Sequence, residues 1–290
     1  VGQEYYINKV FHGKYGNIAR IKRKTHGGKS KSMAQAIWLI NIDVTGLCNK
    51  TCNYCPRSKG YPNINEHMPY EVFDNFITYL DKIKYNGWIC WSGRGENSLH
   101  PRAEDMINRL HTPWRLYKTR ILTNGYKFDK RKHWFALFDK AVINTYESEE
   151  EMERRKAMLP AKEHRYWDQT VEPEEWEVTP LQVQNRNDIY NNVIASDKTL
   201  KEPCILPMTK AWIHWTGDIS LCSNDWTDTN IFGNIKEDNF FEVWNNHPVL
   251  NEMRQELIKG NRYKYTVCSI CNRTHNKYDK RRYKKWISRN

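Results

Sequence analysis

Nowhere does the sequence run through about eighteen apolar residues, so no membrane-spanning helix is expected. No secretory signal is legible at its start. There is no internal repeat and no low-complexity tract, and 290 residues then suit one large domain or one domain with an appendage. The ten histidines form no ligand-like cluster. Acids are missing from residues 19–32, which carry Arg20, Lys22, Arg23, Lys24, Lys29 and Lys31. From 272 to 290, eight Lys or Arg stand against one acid, Asp279. These flanks hold the excess behind the net charge of +12 and leave the body close to neutral. Basic flanks can meet nucleic acid or another polyanion. No aromatic-interleaved motif accompanies them, so solvated tails are the expected reading.

What the chain does have is aromatic side chains, 12 Trp and 17 Tyr, enough for a sizeable core. It also has eight cysteines, and seven fall in ligand-like spacings. That pattern favours metal in a reducing, cytosolic compartment over disulfides. Cys48, Cys52 and Cys55 form one short run after an apolar stretch, with no fourth cysteine nearby. Three thiolates can hold three corners of a cubane and leave one iron open, whereas a structural site normally uses four ligands. A zinc ligand set or a redox-sensing thiol group is the alternative. Cys204, Cys222, Cys268 and Cys271 make a second, complete set, suited to a [4Fe–4S] cluster or a four-cysteine zinc site. Cys90 sits inside an apolar run and reads as core packing.

Strand and helix patterns alternate through the middle of the chain. Strands are expected at Ile37–Val44, Trp88–Trp91, Leu116–Leu122, Lys140–Tyr146 and Val178–Gln184. Helices are expected at Pro69–Lys84, Ala103–Leu110 and Glu147–Met158. This order implies an α/β fold with a mostly parallel sheet. Residues 160–176, rich in charge, Trp and Pro, read as a surface loop or a substrate lid. Beyond Cys204 the sequence predicts a hairpin over Ala211–Leu221 around Thr216-Gly217-Asp218. A single helix from Phe240 to about Lys259 follows, stopped by Gly260.

The spacing C-x3-C-x2-C, with the aromatic Tyr54 before the last cysteine, resembles the signature of the radical S-adenosylmethionine enzymes. The second cysteine set resembles their twitch extension, the shortened SPASM domain. So do the segments Gly217–Cys222, Phe232–Ile235 and Val243-Trp244-Asn245. The ligand spacing is similar to that of the 2-deoxy-scyllo-inosamine dehydrogenase type. The resemblance covers roughly residues 36–272. It implies a partial (β/α)6 TIM-like barrel with a small C-terminal α+β twitch extension. The expected division is a basic extension over 1–35, the barrel over 36–200, the auxiliary-cluster segment over 201–272 and a basic tail over 273–290.

The same resemblance implies two [4Fe–4S] clusters and S-adenosyl-L-methionine as cofactors. Tyr54 would lie near the adenine. Gly93, Gly95 and Glu96 resemble the segment that receives the cofactor's amino group, although Asn97 stands where proline is frequent. Asn124, in Thr123-Asn124-Gly125, is either a cofactor contact or part of a tight turn. Asn144 and Thr145 stand where a ribose contact is common. Arg154, or its neighbour Arg155, would pair with the cofactor carboxylate. Arg186 resembles a substrate-contacting arginine. His214 reads as structural or substrate-side. The implied activity is reductive cleavage of S-adenosylmethionine to a 5′-deoxyadenosyl radical, which takes hydrogen from a small polar or anionic substrate. A fully ligated second cluster suits electron acceptance, so net two-electron oxidation of a polar alcohol or amino-sugar is expected. An external donor such as flavodoxin or ferredoxin would supply electrons. Radical modification of a ribosomally made peptide is one alternative reading, and a zinc-stabilised nucleic-acid-binding protein is another.

Overall fold

Short apolar runs separated by amphipathic stretches produce one mixed sheet with helices laid against it. The computed structural model describes residues 37–168, 200–271, 273, 280, 281, 283 and 284. The N-terminal extension, Arg186, the strand expected at 178–184 and most of the basic tail lie outside the described residues. The strands are β1 (Leu39–Ile42), β2 (Trp88–Trp91), β3 (Lys118–Thr123), β4 (Lys140–Thr145), β5 (Glu163–Tyr166), β6 (Lys210–Ile213), β7 (Asp218–Ser220) and β8 (Ile231–Asn234). Their order across the sheet is β5-β4-β3-β2-β1-β6-β7-β8. Pairing is parallel from β5 through β6 and antiparallel from β6 to β8. The fold is α/β, an open partial barrel whose six parallel strands run on into the hairpin. Strand β6 lies within the 201–272 segment yet pairs with β1, so the sheet is continuous across residue 200.

Helices α1 (Tyr70–Lys82), α2 (Ala103–Leu110), α3 (Phe128–Leu137) and α4 (Glu149–Met158) connect the strands. In α1, Phe73, Phe76, Ile77 and Leu80 recur at helical spacing and are buried, which sets its inward face. They join Ile40, Ile42, Ile89, Trp91, Ile121 and Ile143 in the main core. Side chains alternate along a strand, so Asn41, Cys90, Arg120, Val142 and Trp212 lie on the opposite face.

Two expectations are corrected, and one helix was not foreseen. The stretch from 160 is not wholly a loop, because β5 pairs with β4 over Val142–Thr145. Helix α3 gave no amphipathic signal, and only Phe128, Trp134 and Phe135 of it are buried. The helix expected from Phe240 to Lys259 is two, Phe240–Asn246 and Pro248–Ile258. Pro248 has no N–H to donate and pushes His247 out of helical geometry, with ψ at 119°. Gly260 does end the second helix, at φ +83°.

Asn97 ties the end of β1 to the segment after β2. Its Oδ1 accepts from Val44 N at 3.2 Å, and its Nδ2 donates to the Ile42 carbonyl at 3.2 Å. The side chain is 2 % exposed. Replacing it by alanine leaves two buried backbone groups without these partners. We expect Asn97→Ala to lower stability by about 2–4 kcal/mol in urea unfolding. A change within about 0.5 kcal/mol would show that the two bonds contribute nothing net.

Candidate active site

The parallel strands end together, and the loops leaving β1 to β4 meet at their C-terminal edge, where α/β folds hold ligands. The loop after β1 carries Cys48, Cys52 and Cys55. Cys48 N donates to Asn63 Oδ1, and Asn63 Nδ2 donates back to the Cys48 carbonyl, both at 2.9 Å. Arg57 braces the loop from beneath. Its guanidinium donates to the carbonyls of Gly46 (2.5 Å), Pro62 (2.7 Å) and Arg94 (2.9 Å), using the planar fork that only arginine offers. Burial pushes the Cys48 thiol up to about 11. A cationic group beside it would reverse that shift.

Glu96 follows β2 and is 4 % exposed. Its Oε1 accepts from Ser98 Oγ and Thr123 Oγ1, each at 2.7 Å, and its Oε2 accepts from Asn124 N at 2.7 Å. One carboxylate therefore sets the turn after β3. That turn presents Asn124 Nδ2 to Asn49 Oδ1 at 2.9 Å and to Cys48 Sγ at 3.9 Å. Gly93 and Gly95 have a reason within the chain itself. A Cβ on Gly93 would stand 2.0 Å from the Asp43 carboxyl carbon, and one on Gly95 would stand 2.2 Å from the Thr45 carbonyl. Both positions must be glycine for β2's outgoing segment to pass under the cysteine loop.

Tyr54 hydrogen-bonds Tyr146 through their hydroxyls and packs against Trp167, 5.2 Å between ring centroids. Trp167 Nε1 donates to Asn144 Oδ1 at 3.1 Å. Tyr54, Glu96, Asn124 and Asn144 are thus gathered at one edge with the three cysteines. Two candidates are not. Thr145 is fully buried on the helix side of β4, and its Oγ1 accepts from Arg155 at 3.5 Å. Strand alternation turns it away from Asn144. Arg154 is on the outer surface, paired with Asp129 at 2.8 Å and Glu151 at 2.6 Å. Its neighbour Arg155 turns inward, 6 % exposed, towards the Asn124 carbonyl. One residue along a helix is about a 100° rotation, which the sequence does not phase.

The second set assembles from three places. Cys204 precedes β6, Cys222 follows β7, and Cys268 and Cys271 belong to the turn of helix around Thr266–Ser269. All four line one recess, walled by Leu221 and Val267. Burial, and then the neighbouring Cys271 and Cys204, push the Cys222 thiol far up. Cys268 is raised too, by burial first and then by Cys222, Cys204 and Cys271. Arg262 and Arg273 bring positive charge to the same recess. Asn224 donates from its side chain to Cys271 Sγ at 3.3 Å and from its backbone to Cys222 Sγ at 3.4 Å. Among the described residues no three His, Cys, Asp or Glu converge on a single ion. The four-thiol lining suits a polynuclear, cationic inorganic core.

A residue without an assigned role in the sequence joins the two sets. Arg94, inside the Gly-Arg-Gly-Glu segment, is 4 % exposed. It forms a forked pair with Asp228 (2.5 and 2.6 Å), donates to the Asp225 carbonyl (2.6 Å) and to Tyr61 (3.0 Å), and lies over the Trp226 ring. His214 Nε2 stands 3.2 Å from Asp228. Burial works against the Asp228 charge, but Arg94 and His214 outweigh it and hold the carboxyl well below its usual range.

Comparison with known proteins places this geometry. Residues 204–272 match the sequence model of SPASM, an iron–sulfur cluster-binding domain. Over 250 residues the chain is 23 % identical to the S-adenosyl-L-methionine-dependent 2-deoxy-scyllo-inosamine dehydrogenase of Niallia circulans, covering 83 % of this chain and 96 % of that protein. The fold is that of crystalline BtrN in complex with AdoMet and 2-DOIA, with TM-score 0.69 and 20 % identity over 84 % of this chain and 97 % of BtrN. An open conformation of selenomethionine BtrN matches at TM-score 0.58 and 20 % identity, over 81 % and 92 % of the two chains. Among the described residues no helix is long and apolar enough to cross a membrane.

The Arg94–Asp228 pair yields a pH prediction. A carboxyl whose pKa is depressed in the folded state stabilises that state fully above its unfolded value, about 3.9, and loses this as pH falls towards the folded value. Asp228→Asn should cost about 3–5 kcal/mol at pH 7, the usual cost of stranding a buried charge. Urea midpoints should show the gap narrowing below about pH 4. A gap constant from pH 7 to pH 3 would contradict the assignment.

Proposed function

We propose that this chain is a radical S-adenosylmethionine dehydrogenase: it cleaves S-adenosylmethionine reductively and removes hydrogen from a small polar substrate, a polar alcohol or amino-sugar, in a net two-electron oxidation. The observation that carries the reading is the meeting of the three-cysteine loop, Glu96 and Asn124 at one sheet edge, joined through Arg94 to a four-cysteine recess. The relatives reported above support a dehydrogenase over a peptide-modifying enzyme or a zinc-stabilised nucleic-acid-binding protein. Iron–sulfur clusters held by Cys48, Cys52 and Cys55 and by Cys204, Cys222, Cys268 and Cys271 would supply electron transfer, with one open iron in the first site for the cofactor.

The chain's own residues do the positioning. Glu96 fixes the Asn124 turn, and its buried carboxylate sets negative charge where a cationic amino group is to be received. Tyr54, Tyr146 and Trp167 make an aromatic wall on the β4 side, suited to a purine, with Asn144 held by Trp167 at its edge. Arg155, not Arg154, faces this edge, where it donates to the Asn124 carbonyl. Gly93 and Gly95 let the segments pack without a gap, which excludes water from the base of the site. Arg186 is proposed as a substrate contact on resemblance alone. Asn224 N–H groups aimed at Cys222 and Cys271 would favour the reduced state of a cluster there, as an electron acceptor requires. Seven thiolate ligands call for a reducing compartment, so the proposed setting is the cytoplasm, with flavodoxin or ferredoxin as external donor.

Anaerobically reconstituted protein with dithionite and S-adenosylmethionine should form 5′-deoxyadenosine, and absence of that product would sink the proposal. Glu96→Ala removes the acceptor of Asn124 N–H and of the Ser98 and Thr123 hydroxyls and should cut cleavage by roughly a hundredfold through misplacement. Cys268→Ala with Cys271→Ala should keep part of the cleavage and block oxidised product. Iron content should fall by about half, as expected for one of two cubanes lost.

A further inference from the structure

The face of the sheet turned away from the helices has an unusual charge balance. On the parallel strands β1 to β4 and β6 it presents Lys118, Arg120, Lys140 and Lys210 among apolar and amide side chains, by strand alternation. Four of these side chains are cations and none is an acid; the nearest acid on that face is Asp43, just past the end of β1, whose Oδ2 accepts from Arg94 N at 2.9 Å. The adjoining β5 contributes Glu163, but that carboxylate is committed to Lys140 at 3.0 Å and to Arg165.

Register places Trp212, Asn41, Cys90 and Arg120 in one row across four strands, midway along the sheet. Within this row the donors outnumber the acceptors. The Arg120 side chain shows no hydrogen bond or ion pair to a described residue, and its Nε is buried without a partner. Trp212 Nε1 is likewise buried without an acceptor. Asn41 spends its Nδ2 on the Ala211 carbonyl at 3.3 Å. A buried guanidinium N–H left unpaired costs free energy, and a ligand oxygen removes that cost. Arg120 lies four residues before Asn124, hence roughly 13 Å below the cofactor edge at the usual strand rise. That distance spans one small substrate under the cofactor.

We propose that this row is the seat of a substrate oxyanion, with Arg120 as its anchoring residue and Trp212 Nε1 as a second donor. The ligand is a polyol or amino-sugar carrying a phosphate or carboxylate, whose planar or tetrahedral oxygens match the guanidinium fork. Calling it the substrate rests on the function proposed above, whereas the oxyanion site does not.

The test is calorimetric titration of the anaerobically reconstituted full chain with S-adenosylmethionine present. The probes are inorganic phosphate, glucose 6-phosphate, glucuronate and neutral scyllo-inositol. At least one oxyanion should bind more tightly than scyllo-inositol, and comparing the phosphates with glucuronate identifies which group the site takes. Arg120→Gln should weaken oxyanion binding by at least about tenfold and leave scyllo-inositol unchanged. Unchanged oxyanion affinity in Arg120→Gln, or no preference for oxyanions in the native chain, overturns the proposal. A measurement on native protein guards against a variant that does not fold. Phenylglyoxal labelling of Arg120, read by peptide mass spectrometry, should be suppressed by the oxyanion that binds, and labelling indifferent to it overturns the proposal equally. Formation of 5′-deoxyadenosine by the native protein without substrate reports on the radical reading alone, so the two ideas fail separately.

Discussion

A single buried guanidinium fixes how the cysteine loop stands relative to the second cysteine recess. Arg94 has no water to fall back on, so its charge persists only because Asp228, Tyr61 and the Asp225 carbonyl take its N–H groups. Its backbone is equally committed, with N donating to Asp43 Oδ2 at 2.9 Å and O accepting from Arg57. Gly93 and Gly95 on either side have no room to move, because β1's end fills the space a side chain would need. The segment carrying Glu96 is therefore located by the same contacts that locate Asp228. Asp228 lies a few residues from Asn224, which binds two of the second set's sulfurs. Electron transfer between two centres needs a fixed separation, and this network is the physical means the chain has for keeping one.

The sheet divides labour by face and by end. One face is apolar and covered by helices, which supplies the stability to hold strained and charged elements elsewhere. The C-terminal ends gather thiols, a carboxylate and amides. Among the described residues, the opposite face collects cations with few acids to neutralise them. Polar groups on such a face are inexpensive only while a ligand or water can reach them, so the arrangement makes sense as a place where something polar is received.

Much of this was legible in one dimension. Local periodicity located β2 and α2 to the residue, because a buried strand and a short amphipathic helix show their period directly. It failed where tertiary contact, not local pattern, decides. Strand β5 is polar and reads as loop, and only pairing with β4 makes it a strand. The two helices around Pro248 read as one because the apolar pattern on both sides of the break stays in phase.

The sequence by itself determined the chemistry: seven cysteines in two spacings, an aromatic beside the third, and glycines and a glutamate after the second strand. Ligand spacing is a property of the chain, since three residues within eight positions can meet on one turn whatever the fold. Only the tertiary structure decided partners across the fold. It put Arg155 inside and Arg154 outside, turned Thr145 from the site while keeping Asn144 on it, and brought Arg94 to Asp228 across 134 positions. Such choices depend on helix phase, strand parity and long-range register. None of these is set by neighbouring residues, because each is fixed by which surface the rest of the chain has already buried.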